Sequence, residues 1–418
     1  MSGAGVDGVG RTGVDGSGGG TGVDGVDGHV VVVGLGFGDE GKGAVVDALC
    51  HDRETVSVVR FNGGAQAAHN VVADGRHHTF SQFGSGTLAG VPTHLSRHVL
   101  VEPIALATES RELAGLGVRD PLRLLSVDAG ALLTTPFHVL ANRAREDARG
   151  EARHGSCGKG IGETVWYSLL ADARPGDVVE HQRVIGTPGA PPRVGDCADP
   201  AALRRKLDAL ARFYEPLIGA GPSVAELVSL YRDFAGAVRI TRGDEVGRLA
   251  ERGRLVFEGA QGVLLDQHHG FHPHTTWSTT TPANARDLLG GRPAAVVGVT
   301  RTYQTRHGAG PLPTEDPAVA ARFPERHNGT GRYQGAWRAG HLDAELLEYA
   351  VAACGGVDGL AVTHLDATGL EVVARRGGRP EDLPDPLAWF EARHPVLVTG
   401  HGPDRAHYAV RSCATIAA

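Results

Sequence analysis

The stretch Val31–Gly43, VVVGLGFGDEGKG, constrains this chain more than any other. Consecutive valines mark a strand buried on both faces, which is the habit of parallel sheets covered by helices. The glycines that follow make a loop able to bring backbone N–H groups close to a phosphate. Asp39, Glu40 and Lys42 place ionisable groups inside that loop. Two templates fit the stretch. Gly36–Gly41 matches GxGxxG, and Gly36–Lys42 matches GxxxxGK with Gly43 where a P-loop keeps Ser or Thr.

The pattern around the loop predicts a βαβ opening. His29–Leu35 reads as a strand, Lys42–Leu49 as the following helix, and Thr55–Phe61 as a second strand before the turn Asn62-Gly63-Gly64. Further strands are expected at Arg97–Val101, Leu255–Phe257, Ala294–Val299 and Gly359–Val362. Helical spacing marks Ala201–Phe213, Ser223–Phe234 and Asp343–Ala353. The expected fold class is therefore α/β: a large, mostly parallel central sheet of P-loop-NTPase type with helical and loop subdomains. No linker divides residues 29–418, and the Pro/Gly/Asp-rich stretch 173–199 is the most loop-like part of the interior. Residues 1–28 repeat GVDG between Gly, Ser and Thr and have almost nothing to bury, so they are expected to form a disordered tail.

Composition removes several classes of function. A formal net charge of −7 over 418 residues gives no electrostatic basis for binding nucleic acid. No apolar run approaches the roughly 20 residues of a membrane-spanning helix. Five cysteines without a CxxC pair fit a reduced, cytoplasmic protein.

Each template for the glycine loop meets an objection. A dinucleotide site would have to tolerate two carboxylates beside the pyrophosphate, although Arg60 at the end of the second strand suits a 2′-phosphate. A P-loop would lack its Mg²⁺-ligating hydroxyl at Gly43. Both objections fall if Lys42 and the glycine N–H groups serve the phosphates while Asp39 meets a metal or a reacting proton. The plain alternative for Asp39 is a helix N-cap or first-turn acid.

Several ordered blocks make the chain similar to the adenylosuccinate synthetase family. Gly38–Gly43 resembles GDEGKG. Asn62–Asn70 (NGGAQAAHN) stands for QGGxNAGHT, and Phe257–Gly262 (FEGAQG) precedes Leu265-Asp266 and His269-Gly270. Thr305–Glu315 resembles TRVGxGPFPTE, Thr363–Asp366 resembles TKLD, and Gly402–Arg405 is GPDR. The resemblance implies a Mg²⁺-dependent ligase that uses GTP as co-substrate to join aspartate to IMP, working as a cytoplasmic homodimer. It implies catalysis by Asp39 as base, His69 as acid and Gln261 at the acceptor's oxo group. It assigns the nucleotide to Gly38, Glu40, Gly41, Lys42, Gly43, His364, Asp366 and Gly402, and Mg²⁺ to Asp39 and the carbonyl of Ala68. Acceptor and amino acid fall to Gln66, Ser156, Cys157, Thr276, Thr330 and Arg332.

Departures from the family pattern gather on the substrate side. Cys157 stands for a phosphate-contacting threonine. Ala171-Asp172-Ala173-Arg174 stands where the family carries an arginine that crosses the dimer to the IMP phosphate. Asn70 and Gln66 replace a threonine and an asparagine, and the arginine loop near 329–341 is rebuilt. A divergent ligase acting on another purine-like or heterocyclic acceptor is therefore an alternative, as are an NADP-binding oxidoreductase and an inactive GTP-binding relative. Two further features carry plain readings. His268, His269, His272 and His274 read as a solvated loop before a zinc site. Cys157 reads as a small apolar substitution before a reactive thiol at a helix N-terminus.

Overall fold

A computed structural model describes residues 28–324 and 330–411. The tail expected over 1–28 lies, apart from Gly28, outside the described residues. One ten-stranded sheet organises the chain. In chain order its strands are β1 (His29–Gly34), β2 (Ser57–Arg60), β3 (Thr93–Leu95), β4 (Leu125–Asp128), β5 (Arg239–Thr241), β6 (Leu255–Gly262), β7 (Ala294–Arg301), β8 (Gly359–Thr363), β9 (Val396–Gly400) and β10 (Tyr408–Val410). Across the sheet they run β5-β4-β3-β2-β6-β1-β7-β8-β9-β10. Every neighbouring pair is parallel except β9 with β10.

β1 sits in the middle, with Val31 level with Phe257 of β6 and with Val296 of β7. Its side chains alternate between two cores. Val30 and Val32 join Val45, Val46 and Leu49 of helix α1 (Lys42–Asp52), while Val31 and Val33 join Phe61, Phe257 and Val296 on the other face. With both faces covered, every position can be apolar, so the strand shows no polar alternation.

A third cluster forms a helical subdomain. It packs α2 (Pro103–Gly115), α3 (Pro136–Arg149), α4 (Ile161–Ser168), α5 (Pro200–Ile218) and α6 (Val224–Ala237) around Phe137, Trp166, Tyr167, Phe213 and Tyr231. The loop-like stretch 173–199 stays within this cluster, because Val184, Val194 and Cys197 are buried in it. It carries a small hairpin, Val178–Val179 with Gln182–Arg183.

One expectation needs revision, and three strands went unmarked. The predicted strand Arg97–Val101 shrinks to Leu100–Val101, paired with Leu132–Leu133 outside the main sheet. Apolar character there serves the helical cluster, in which Val99 and Val101 are buried. The short β3, β4 and β5 carry three or four residues each, too few for a periodic pattern to mark.

The strand order sets the site. From β1 the chain builds outward in both directions, so loops at the carboxyl ends of the central strands diverge and leave a crevice. The glycine loop, the 62–70 segment, Gln261, Arg301, the 364–366 turn and Gly402 all lie at or just past the carboxyl ends of β1, β2, β6, β7, β8 and β9.

Candidate active site

A cleft of about 1000 Å³ opens at those strand ends. Its floor is the glycine loop, which is braced from within. Glu40 is almost wholly buried, and one carboxylate oxygen accepts from the N–H groups of Gly36 (3.0 Å) and Gly38 (2.8 Å). The other accepts from Lys42 Nζ at 2.5 Å. A Cβ at Gly34 would lie 2.3 Å from Glu40 Oε2, and one at Gly262 would lie 2.3 Å from Glu40 Oε1. These glycines make room for a carboxylate, which revises the expectation that the loop's N–H groups all serve a phosphate. Gly41, at φ +93°, caps α1 without any side-chain hydrogen bond to the first turn. The N–H groups of that turn, with Lys42 beside them, are the groups of this loop that could receive an anion.

Asp39 is not the cap of α1, since Gly41 is. It lines the cleft with φ +60°, an uncommon conformation for a residue with a side chain. Neighbouring strands hold that turn in place. Arg301 at the end of β7 donates from Nε to the Asp39 carbonyl, and Thr363 at the end of β8 donates to the Glu40 carbonyl at 2.8 Å.

His69 enters from the hairpin His69–Ala73/Arg76–Phe80. Its Nδ1 lies 2.5 Å from Glu258 Oε1, and Glu258 also accepts from Ser85 Oγ (2.5 Å) and the Ser85 N–H (2.9 Å). Burial by itself raises the Glu258 pKa, but the Arg60 guanidinium, His69 and Ser85 overcome it and hold the group at about 2. Burial pushes the His69 pKa down, and Glu258 opposes that shift. With Nδ1 committed to Glu258, Nε2 is the ring nitrogen left for chemistry in the cleft.

Gln261, at φ +60°, is presented by a two-point clamp. Asn62 accepts from Ala260 N at 2.6 Å and donates to Ala260 O at 3.1 Å. Gln261 Oε1 and both amide atoms of Gln66 are buried without a hydrogen-bond partner among the described residues, and both side chains line the cleft. Those orphaned groups point to a ligand.

At one end the cleft is lined by His364, Asp366, Gly402 and Pro403. Burial, aided by Arg301, pushes the His364 pKa well below its ordinary value, so this histidine is neutral. The other end is walled by α3, the 155–163 loop, Glu180-His181-Gln182 and the 267–277 loop. The cleft therefore gathers Gly38, Asp39, Gly41, Lys42, Gly43, Gln66, Ala68, His69, Ser156, Cys157, Gln261, Thr276, His364, Asp366 and Gly402.

Three assigned residues stand elsewhere. Glu40 braces the loop. Thr330 and Arg332 do not line the cleft; Arg332 is exposed, pairs with Asp147 at 3.2 Å and lies over the Tyr333 ring. Gln334, His307 and Ala309 from the same region line it instead. Cys157 is exposed and precedes the Gly160 cap of α4, so it is not a thiol at a helix N-terminus. His268, His272 and His274 line the cleft, yet among the described residues no three His, Cys, Asp or Glu side chains group to hold a metal.

Arg60 is buried, and its Nη1 donates to the carbonyls of Ser81 and Phe83, both at 3.1 Å. It offers nothing to a 2′-phosphate. Arg405 of the GPDR block is likewise structural, gripping Asp47 of α1 through two 2.7 Å hydrogen bonds. Glu258, Asn62 and Arg301 were not singled out from the sequence, although the first two lie inside quoted blocks. Ser85 has no sequence signal at all.

Comparison with known proteins places these residues in context. Residues 31–374 match the family described as adenylosuccinate synthetase. The chain is 32% identical over 407 residues to the adenylosuccinate synthetase of Neisseria gonorrhoeae, covering 92% of this chain and 89% of that one. It is 36% identical over 400 residues to that of Chromohalobacter salexigens, covering 88% and 85%. Among solved structures, the fully ligated adenylosuccinate synthetase of Plasmodium falciparum superposes with a TM-score of 0.76 at 20% identity, covering 92% of this chain and 100% of that one. The succinoaminodeoxyadenylate synthetase of cyanophage S-2L, bound to dGMP and dATP, superposes with a TM-score of 0.62 at 20% identity, covering 92% and 95%. At that identity these two structures establish a shared fold.

Proposed function

The chain belongs to the adenylosuccinate synthetase family, GTP-dependent ligases that form a carbon–nitrogen bond, and we propose that it joins an amino acid such as aspartate to an oxo-bearing, purine-like acceptor of the IMP class. Asp39 takes the proton from the acceptor's ring N–H, and the electron pair moves to the exocyclic oxygen. That oxygen attacks the γ-phosphorus of GTP, the bond to the bridging oxygen breaks, and GDP leaves. His69 meets the charge developing on the bridge, and Lys42 with the first turn of α1 holds the phosphates. Gln261 orients the oxo group. The amine then attacks the phosphorylated carbon, inorganic phosphate departs, and the amine's proton is released.

The single observation that carries this reading is the meeting of Asp39, His69 and Gln261 in one cleft with Lys42 and the first turn of α1. Asp366 and neutral His364 suit the guanine end, since a carboxylate accepts two N–H donors at once.

The donors also fit Mg²⁺. A carboxylate at Asp39 and the carbonyl of Ala68 are hard oxygen ligands, and a Mg²⁺ site of this type is completed by substrate phosphates and water. Bound there, Mg²⁺ would offset phosphate charge. The reading extends to residues 29–418 as one catalytic unit carrying 1–28 as a tail, and to a homodimer in the cytoplasm. Exposed Leu169 and Val178 flank the segment 171–174 and suit a subunit contact. An NADP-dependent oxidoreductase is disfavoured by the buried, carbonyl-bound Arg60.

The test is release of inorganic phosphate from GTP across purine nucleotides, nucleosides and amino acids. Release is expected only with acceptor and amine together, and Asp39→Asn is expected to reduce it at least about 100-fold. GTP binding without release under any pairing, or full activity in Asp39→Asn, refutes the reading.

A further inference from the structure

Asp39, Gln261 and His364 each line the cleft at a φ near +60°, a strained conformation held in place by the strands around it. The first two have their place in the proposed chemistry. His364 stands where the TKLD pattern carries a lysine, and its contacts fix which kind of hydrogen bond it can offer. Its neighbourhood is that of the phosphate-facing turn. A Cβ at Gly41, the cap of α1, would come within 3.1 Å of Thr363 Cγ2, and Asp366 and Gly402 line the cleft beside His364.

Thr363 Oγ1 lies 2.8 Å from the Glu40 carbonyl, 3.4 Å from the Thr300 carbonyl and 3.0 Å from His364 Nδ1. Carbonyls only accept, so the single hydroxyl hydrogen goes to Glu40, and Nδ1 is the donor to Oγ1. His364 is neutral, because burial and the Arg301 guanidinium push its pKa far down. A neutral imidazole carries one N–H, which leaves Nε2 as a lone-pair acceptor. Nε2 makes no hydrogen bond among the described residues. The Tyr303 ring packs edge-on against the imidazole, 5.6 Å between centroids, and steadies this orientation.

We propose that the co-substrate site accepts adenine as well as guanine nucleotides, with His364 Nε2 accepting from the exocyclic amino group at position 6 of adenine. This deepens the ligase reading and rests on it for the placing of the base. Guanine presents N–H donors at N1 and N2, which Asp366 can accept, and a carbonyl oxygen at position 6, which Nε2 cannot serve. Adenine presents an amino group at position 6, which Nε2 serves, and no N–H at positions 1 and 2 for Asp366. Each base satisfies one acceptor and leaves the other without a donor, so the site discriminates weakly between them. A lysine at 364 has donors alone. It would hold the guanine oxygen and face the adenine amino group donor to donor.

Calorimetric titration of the full-length protein with GDP, ADP and the diphosphate of 2,6-diaminopurine riboside, Mg²⁺ being present, tests the inference without requiring turnover. ADP is expected to bind within about tenfold of GDP. The diaminopurine nucleotide offers an amino group to His364 and another to Asp366, and it is expected to bind several-fold tighter than ADP. His364→Lys is expected to weaken both amino-bearing nucleotides relative to GDP by at least about tenfold. ADP weaker than GDP by more than the tenfold margin, a diaminopurine nucleotide no tighter than ADP, or ratios that a folded His364→Lys leaves unchanged overturns the inference. The wild-type comparisons decide it if that variant fails to fold. Phosphate release measured alongside separates the two proposals. ADP binding within the margin, without phosphate release from GTP or ATP under any acceptor and amine, removes the ligase reading alone. Phosphate release from GTP with ADP outside the margin removes this inference alone.

Discussion

Glu258→Gln is the perturbation whose size follows most directly from the structure. The carboxylate is fully buried, 2.5 Å from His69 Nδ1 and from Ser85 Oγ and 2.9 Å from the Ser85 N–H. Lowering its pKa from the ordinary 4.5 to about 2 corresponds to about 3 kcal/mol of native-state stabilisation at neutral pH. Leaving the buried donors of His69 and Ser85 poorly satisfied costs about 1–3 kcal/mol by a separate route, so the two figures agree in scale. The sign is fixed by the direction of the shift. The native state favours the ionised group, so the contribution is complete above about pH 4.5 and is lost as pH falls through about 2. Urea unfolding followed by tryptophan fluorescence, with Trp166 fully buried as the reporter, measures it. Wild type is expected to exceed the variant by about 3 kcal/mol at pH 7 and by about half that at pH 3. A difference under about 1 kcal/mol at pH 7, or one that does not change with pH, refutes the view that Glu258 is ionised and paired.

Three further outcomes follow from the same contacts. Gly262→Ala puts a Cβ 2.2 Å from the Gly36 carbonyl and 2.3 Å from Glu40, so it is expected to cost about 1–3 kcal/mol and to weaken binding of a GTP analogue, as read by thermal melting and calorimetry. Arg405→Ala strands Asp47, which is 1% exposed, and is expected to cost about 3 kcal/mol in urea unfolding, with Asp47→Ala added in the same chain recovering part of the loss. NADPH is expected to give no calorimetric heat, because the Arg60 side chain is 1% exposed and its Nη1 holds the carbonyls of Ser81 and Phe83; binding with a 2′-phosphate preference would contradict that placement.

Much of the architecture was legible because buried parallel strands leave continuous apolar runs. HVVVVG of β1 and the apolar start of β6 stood out for that reason. Short strands such as Thr93–Leu95 carry too few residues for any pattern, and their strand character comes from neighbours already in the sheet. At the site, the ordered motifs that carry the family resemblance assigned Asp39, His69, Gln261 and Asp366, and the structure brings all four to one cleft. Their supports were hidden, because bracing is a property of distance in space. Glu258 reaches His69 across 189 positions and Ser85 across 173, a juxtaposition no spacing rule anticipates. The glycine loop shows the same limit: its glycines look like a phosphate cradle, while Gly34, Gly36 and Gly262 make space for Glu40. Arg332 matched a motif, yet the rebuilt segment turns it toward Asp147 and offers Gln334 to the cleft.

The central claim is that the acceptor's own oxygen is phosphorylated and then displaced by the amine. Labelling that oxo group with ¹⁸O and analysing the phosphate released from GTP by mass spectrometry tests it most directly. One labelled oxygen in each phosphate is the expected result, and its loss in step with activity is expected for Asp39→Asn. Unlabelled phosphate formed alongside the carbon–nitrogen product would contradict the account, because the γ-phosphoryl group would then have gone to water or to the amino acid and never to the acceptor.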